Sequence, residues 1–411
     1  MKHLESTGSL SERQHGFRAK RSCETHLVDF VHQLTSHLEQ GQQVDAVIMD
    51  FSKAFDKVAH NRLLYKLDRM GIRGEAQEWV KQFLSGRRQR VVVEGVSSET
   101  APVTSGVPQG SVLGPILFLI YINDLPDAVS SEVRMFADDT IIYRHIKTKA
   151  GCDILQDDLR KLEIWEREWQ MEFHPGKCNV MSITNKRKPV VHSYVLHRQA
   201  LTPVTEAKYL GVTLSSDLKW NTHITEVAAK ANQTLGFVRR NLKISSPVIK
   251  TRAYAGLVRP KLEYAASVWD PHTATNVYKL EKVQRRAARW TLNRYHNTSS
   301  VTGMLEHLDW RSLQHRRVDT RLCLFYKMVH GLVAVSPLSV ARPITRTSRR
   351  HHDQGFIPIQ TTKNVFRYSS FPRTILLWNY LPAAVVSAPS VDSFRRQVVK
   401  LDHDNTCPFG P

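Results

Sequence analysis

The sequence predicts an α+β fold, and three observations carry the prediction. Up to about residue 215, short apolar runs of strand length alternate with amphipathic patterns of helix length. Beyond Trp220 the pattern is helical alone, so a mixed layer of sheet and helix should be followed by a separate helical domain. At 411 residues with 41% hydrophobic content, the chain is long enough and apolar enough for two or three domains with sizeable cores.

Taken in order, Ser22 precedes a helix whose Leu27, Phe30, Val31, Leu34 and Leu38 share one face, and Gly41 ends it. Val44 to Phe51 reads Val-Asp-Ala-Val-Ile-Met-Asp-Phe, a mostly apolar strand of the kind buried in a helix-covered sheet, with Asp50 at its end. A helix follows from about His60, with Leu63, Leu64 and Leu67 together, and Gln77 to Leu84 forms another. Arg87 to Val103 reads as a hairpin, with Val91-Val92-Val93 on one arm and Glu94-Gly95 near the turn. Thr104 to Gly110 is a loop broken by Gly106, Pro108 and Gly110. Ser111 suits an N-cap, Ile116 to Ile122 is apolar helix interior, and Pro115 is tolerated only in the first turn.

Pro126 closes that helix, and Val133 to Tyr143 predicts two strands meeting at Asp138-Asp139. Leu155, Leu159, Leu162, Trp165 and Trp169 recur at helical spacing and predict an amphipathic helix packed on the sheet. His174-Pro175-Gly176 is a turn, Asn179 to Ile183 a strand, Lys186 to Pro189 a basic loop, and Tyr209 to Leu214 one arm of a hairpin. Arg342 to His352 reads as a basic linker.

Net charge is +20 and the sequence pI is about 9.8. That balance points to an anionic polymer, most simply nucleic acid. At about 100° per residue, Leu280, Val283, Ala287 and Trp290 fall on one face of a helix near 276–292, with Lys282, Arg285, Arg286 and Arg289 opposite. One side can pack on a bundle while the other presents a cationic stripe to a phosphate backbone; a merely solvated basic face is the plainer alternative. The five cysteines are scattered, with no Cys-x-x-Cys pair, and read as reduced thiols of an intracellular protein of nucleus or cytoplasm. No signal peptide stands at the start and no apolar run reaches membrane-spanning length, so no membrane partner is expected.

The chemistry concentrates on three acids. Asp138 and Asp139 sit between two apolar strands, at a turn where aspartate tolerates unusual backbone angles. Adjacent like charges beside apolar strands need compensation, which a divalent cation supplies through hard oxygen ligands. An ordinary acidic hairpin fits that stretch equally well by itself. Asp50 adds a third carboxylate at the end of a buried strand. If both lie in one sheet, three acids can hold two metal ions about 3.5–4 Å apart, as in polymerases.

Asp50-Phe51-Ser52-Lys53-Ala54-Phe55-Asp56, then Gly106-Val107-Pro108-Gln109-Gly110-Ser111-Val112-Leu113-Gly114-Pro115, then Phe136-Ala137-Asp138-Asp139, resemble three successive motifs of reverse transcriptases. More narrowly they resemble non-LTR (LINE-type) retrotransposons of the jockey and CR1 sort, and Gln14-His15-Gly16-Phe17-Arg18 with Arg21-Ser22-Cys23 resembles the fingers motif that precedes them. The resemblance implies a right-hand polymerase architecture: partial fingers over 1–43, palm with inserted fingers elements over 44–215, helical thumb over 216–335, and a basic linker with C-terminal segment over 336–411. It implies RNA-directed DNA synthesis from deoxynucleoside triphosphates on an RNA template and a DNA primer or target, with two Mg²⁺ ions (Mn²⁺ a substitute) on Asp50, Asp138, Asp139 and the Phe51 carbonyl.

In the same family, Phe55 stands where a ring excludes a 2′-hydroxyl, and Gln109 and Gly110 face the incoming nucleotide. Lys177 matches a lysine that protonates departing pyrophosphate; Arg18, Lys20 and Arg21 are candidate triphosphate contacts. Family members carry more polypeptide before Gln14, commonly with an endonuclease, so the expectation is an N-terminally truncated chain of feeble extension. A remnant that binds nucleic acid without polymerising is the other reading. A metal-dependent nuclease is disfavoured by the Pro-Gln-Gly loop and Phe55. Oligomeric state is not legible in the sequence.

Overall fold

A computed structural model of the chain describes residues 1–243, 246–345 and 352–401. It divides into two compact units, one of Met1–His26 with Gly41–Leu210, the other of Leu27–Gln40 with Gly211–Pro411.

In the first unit the apolar run after Gly41 becomes the strand Gln43–Met49, central in a five-stranded sheet. It pairs antiparallel on one side with Asp139–Ile146 and on the other with Asn179–Ile183; Glu132–Phe136 forms one edge and the short Thr202–Pro203 strand the other. Val44, Ala46, Val47 and Met49 are all buried, which is why this strand lacks an apolar–polar alternation. Leu113–Ile122 is apolar all round and seven of its ten residues are buried, as such a helix requires. Lys149–Trp169 instead buries one stripe, Cys152, Leu155, Leu159, Leu162 and Trp165. With His60–Arg69 these helices enclose a core that includes Val47, Met49, Phe118, Leu155, Leu162 and Phe173.

The hairpin after residue 87 is present: Val92–Val93 pairs with Val96–Ser97, and Arg88–Gln89 with Ala101–Pro102. Glu94 and Gly95 both take positive φ, 51° and 84°, the pattern of a two-residue I′ turn. Tyr209 to Leu214 departs from expectation. It is not one strand: Glu206–Tyr209 ends, Leu210 and Gly211 take φ of 46° and 80°, and Val212–Ser215 begins. The glycine that breaks the apolar run marks a turn, not an arm.

The second unit is built from helices, the longest being Asn221–Asn241, Ala274–Leu292 and Leu313–Val329. Its core includes Trp269, Leu280, Val283, Phe325, Trp378 and Phe394. A buried ionic group sits inside it: Asp270 accepts from Arg317 Nε at 2.7 Å and from Arg321, and its backbone carbonyl accepts from Arg373 at 3.0 Å. Burial pushes the Asp270 carboxyl up, but Arg373, Arg321 and Arg317 outweigh it and hold the pKa below the usual carboxylate range.

The C-terminal segment is part of this unit. Phe325 meets Trp378 edge-on at 5.2 Å, Tyr326 donates to the Ala388 carbonyl at 2.6 Å, and His32 meets Phe371 at 4.9 Å. The carboxylate of Glu39, at the end of the helix Cys23–Glu39, accepts from Thr362 Oγ1 at 2.8 Å and the Lys363 amide at 2.9 Å. Leu27–Gln40 therefore groups with the far end of the chain, not with the residues before it. Residues 346–351 of the basic linker and Cys407 lie outside the described residues; the other four cysteines are free thiols. Among the described residues no helix is long and apolar enough to cross a membrane.

Candidate active site

Strand register brings the acids together. Met49 lies opposite Thr140, so Asp50, the next residue, falls at the level of Asp139 on the neighbouring strand. Phe136 pairs with Asp139, leaving Ala137 and Asp138 as a two-residue turn. The unusual backbone angle expected of an aspartate belongs to Ala137 instead, with φ of 54° at the first central position, where hairpins favour glycine. Asp138 thereby keeps an ordinary φ.

The electrostatics record the convergence. Burial raises the pKa of Asp138, with the Asp50 charge adding to it. The Asp139 carboxyl is pushed up to about 6, first by loss of hydration and then by the like charges of Asp138 and Asp50. Lys177 Nζ lies 3.5 Å from Asp50 Oδ1, both side chains being half-exposed, so this pair contributes little to stability. The Lys177 turn is nevertheless fastened to the strand end: the His174 amide donates to the Asp50 carbonyl at 2.8 Å, and the Lys177 amide to the His174 carbonyl at 2.9 Å.

Three hard carboxylates, two of them with pKa raised by burial and by the charge of Asp50, are a donor set suited to a divalent cation. As they stand, no three Asp, Glu, His or Cys side chains among the described residues are arranged to hold a metal ion.

Phe51 turns its ring inward, stacked on Phe173 at 4.2 Å. Phe55 follows in the short turn Ala54–Asp56, half-buried and stacked on Phe118 at 4.3 Å. Its carbonyl accepts from the Val107 amide at 2.9 Å, which ties the Pro-Gln-Gly loop to this segment. Gln109 Nε2 donates to Asp56 Oδ1 at 3.1 Å. Gly106 allows the approach, because a Cβ there would stand 2.8 Å from the Asp56 backbone. Gly110 has φ of 80° with nothing within 4 Å of a built Cβ, so its surface is open. The apolar helix is Leu113–Ile122, and Ser111 ahead of it acts as a cap, its Oγ accepting from the Gly114 amide at 2.9 Å.

Two candidate triphosphate contacts are revised. Arg18 is buried, its guanidinium bonded to Glu5 at 2.7 and 3.1 Å and to the Ser11 carbonyl at 2.7 Å. Arg21 donates to the Glu12 carboxylate and, at 2.8 Å, to the Glu12 carbonyl. Sequence order could not reveal this, because the acids that engage them, Glu5 and Glu12, lie outside the recognisable motif. Lys20 is exposed.

The sequence reading missed what the start of that motif does. Gln14 is 1% exposed. Its Oε1 accepts from the Ala137 amide at 2.9 Å and the Gly16 amide at 2.7 Å, while its Nε2 donates to the Ala137 carbonyl at 3.3 Å. The only sequence signal was a short Gln-His-Gly motif far from the acids.

In the helical unit, Leu280, Val283, Ala287 and Trp290 are buried, whereas Lys282 and Arg286 are exposed and Arg285 and Arg289 half-buried. Arg286 donates to Asn232 at 3.0 Å.

The family model described as reverse transcriptase (RNA-dependent DNA polymerase) matches residues 1–214. The chain is 28% identical over 298 residues to a probable RNA-directed DNA polymerase from transposon X-element of Drosophila melanogaster, covering 70% of this chain and 32% of that protein. It is 29% identical over 392 residues to the RNA-directed DNA polymerase from mobile element jockey of Drosophila funebris, covering 86% of this chain and 40% of that protein. The chain thus spans about a third to two-fifths of these curated relatives. Among solved structures, apo telomerase from Candida tropicalis aligns with a TM-score of 0.43 and 11% identity, over 80% of this chain and 52% of that one.

Proposed function

We propose, from the premise that this chain belongs to the reverse transcriptase (RNA-dependent DNA polymerase) family, that it carries the RNA-directed DNA polymerase centre of a LINE-type element. The reaction is extension of a primer 3′-hydroxyl with deoxynucleoside triphosphates on an RNA template. One observation carries the reading: strand register and a tight turn bring Asp138 and Asp139 to the end of the strand that carries Asp50, close enough for the Asp50 charge to help raise the pKa of both.

Asp50, Asp138, Asp139 and the Phe51 carbonyl would hold divalent cations, Mg²⁺ or Mn²⁺. Bound there, the cations supply charge compensation for the triphosphate and lower the pKa of the attacking hydroxyl. The residues themselves orient and discriminate. Lys177 balances or protonates the departing pyrophosphate, a role its 3.5 Å distance from Asp50 supports. Phe55, held flat on Phe118, forms a wall against a 2′-hydroxyl, and a fixed ring discriminates by shape. Gln109 and the open Gly110 present the loop to the nucleotide. Lys20 is the exposed cation of the fingers motif and meets a phosphate; Arg18 and Arg21 act as internal supports. Lys282, Arg285, Arg286 and Arg289 track the template–primer backbone.

In this reading 1–43 contributes fingers, although its residues 27–40 pack within the helical unit, 44–215 contributes the palm, 216–335 the thumb, and 336–411 completes the helical unit; the protein works inside the cell. The test is primer extension by the purified chain with Mg²⁺ on a primed homopolymer RNA, beside Asp50→Ala and Asp138→Ala. Extension by the wild type, lost in both variants with duplex binding retained, supports the assignment. Duplex binding without any wild-type extension overturns it in favour of a nucleic-acid-binding chain.

A further inference from the structure

We infer that Gln14 is a positioning residue for the acid pair: its carboxamide holds the Ala137 link so that Asp138 and Asp139 face Asp50. The inference rests on the polymerase reading for its kinetic arm alone.

Three observations combine. The link is strained, because Ala137 takes φ of 54° in a turn where a side chain is unfavourable. Such a conformation persists only when its surroundings over-determine it, and here they do. Gln14 engages both backbone groups of Ala137, accepting from its N–H and donating to its C=O, in a place where Gln14 is 1% and Ala137 6% exposed. Buried polar groups lose heavily when a partner is removed, so this pairing constrains more than a surface one would. Finally, the carboxamide is itself anchored. Its Oε1 also takes the Gly16 amide, and its own backbone runs beside the Glu132–Phe136 strand. There the Met135 amide donates to the Arg13 carbonyl at 3.0 Å and the His15 amide to the Met135 carbonyl at 2.9 Å.

A glutamine that merely filled space would need its volume, not its two hydrogen bonds to one residue. An amide both donates and accepts along one edge without a change of protonation; an ionised carboxylate would accept twice and face the Ala137 carbonyl with like charge. The chemistry assigned to Gln14 is therefore specific to that side chain. It lies more than a hundred residues from the turn in sequence, with no charge of its own and no contact with substrate implied.

The test compares the full-length wild type with Gln14→Met, which keeps volume and loses both bonds to Ala137 as well as the one to Gly16. Amide hydrogen exchange across residues 133–143 should quicken about 10-fold or more in Gln14→Met, with other segments unchanged. Mn²⁺ affinity of the unliganded protein, read by electron paramagnetic resonance, should fall. The extension rate should drop about 10- to 100-fold, as expected of misplaced reacting groups, while duplex affinity and nucleotide KM stay near wild type.

If Gln14→Met does not fold, Gln14→Asn retains the amide but withdraws it by one methylene, and the same three readouts apply. Wild-type exchange and wild-type Mn²⁺ affinity in the folded variant overturn the inference. Should the wild type itself not extend primers, the polymerase reading falls, and the exchange and Mn²⁺ measurements still decide the role of Gln14.

Discussion

A Cβ built on Gly16 would stand 2.4 Å from the Ala137 amide nitrogen, 3.1 Å from its Cα and 3.1 Å from the Phe136 carbonyl carbon. Ordinary van der Waals contact begins at 3.4 Å, so Gly16→Ala requires 3.4 − 2.4 = 1.0 Å of relief. All three neighbours are backbone, so no side chain can rotate out of the way. The relief must come from the Gln14–Gly16 segment or from the turn that carries Asp138. Overpacking of this kind costs about 1–3 kcal/mol of stability. A displacement near 1 Å at reacting groups costs roughly 10²-fold in rate.

The expected result is therefore a modest loss in urea unfolding with a far larger loss in single-turnover primer extension. Gly256→Ala, where nothing lies within 4 Å of a built Cβ, is the control for adding a methyl alone. Wild-type extension by Gly16→Ala, at unchanged stability, would refute the reasoning, since the close approach would then have no bearing on the acids.

Other outcomes follow from the same geometry. Phe55→Val removes the stack on Phe118, at a cost of about 0.5–1.5 kcal/mol, and should raise the ratio of ribonucleotide to deoxyribonucleotide incorporation; an unchanged ratio makes Phe55 a packing residue only. Changing Arg285, Arg286 and Arg289 to Gln should weaken duplex binding and flatten its salt dependence, by ~0.9 in slope for each phosphate no longer neutralised on B-form duplex. Because Arg286 also holds Asn232, its share should be the smallest, and an unaltered slope would point this face to solvent. The Asp139 carboxyl, raised to about 6 in the folded protein from an ordinary 3.8, binds its proton more tightly folded than unfolded. Its effect on stability is then most favourable below about pH 4, declines as pH rises towards 6, and is level above that. Asp139→Asn should abolish that decline in urea titrations across the range; parallel curves for variant and wild type would show that the raised pKa has another origin.

Much of the site was legible because its signals are local. Asp50 ends a run whose apolar character has one explanation, burial on both faces. Asp138-Asp139 interrupts two β-rich flanks, and Gly106, Pro108 and Gly110 punctuate the loop ahead of an apolar helix. Each depends on backbone preference and periodicity within about ten residues, the scale at which side chains dictate secondary structure. The stripe of Lys282, Arg285, Arg286 and Arg289 opposite a buried face was legible for the same reason, helical geometry being local.

What the fold decided is what distant residues do to one another. That Asp50 stands level with Asp139 is a matter of strand register, set by which faces are buried across the whole sheet. Arg18 and Arg21 look free in sequence, yet Glu5 and Glu12 reach them once the chain turns back. The C-terminal segment had no role readable from its residues until Phe371 met His32 and Trp378 met Phe325. Gln14 carries no charge and follows no period, and only the packing of its segment against the Glu132–Phe136 strand brings its amide to Ala137. The acids, the strand and the turn were thus determined by the sequence itself, because propensity and pattern act between neighbours. Their register, the partners of the arginines and the support beneath the turn were decided by tertiary structure, because hydrogen bonds and burial join residues far apart in the chain.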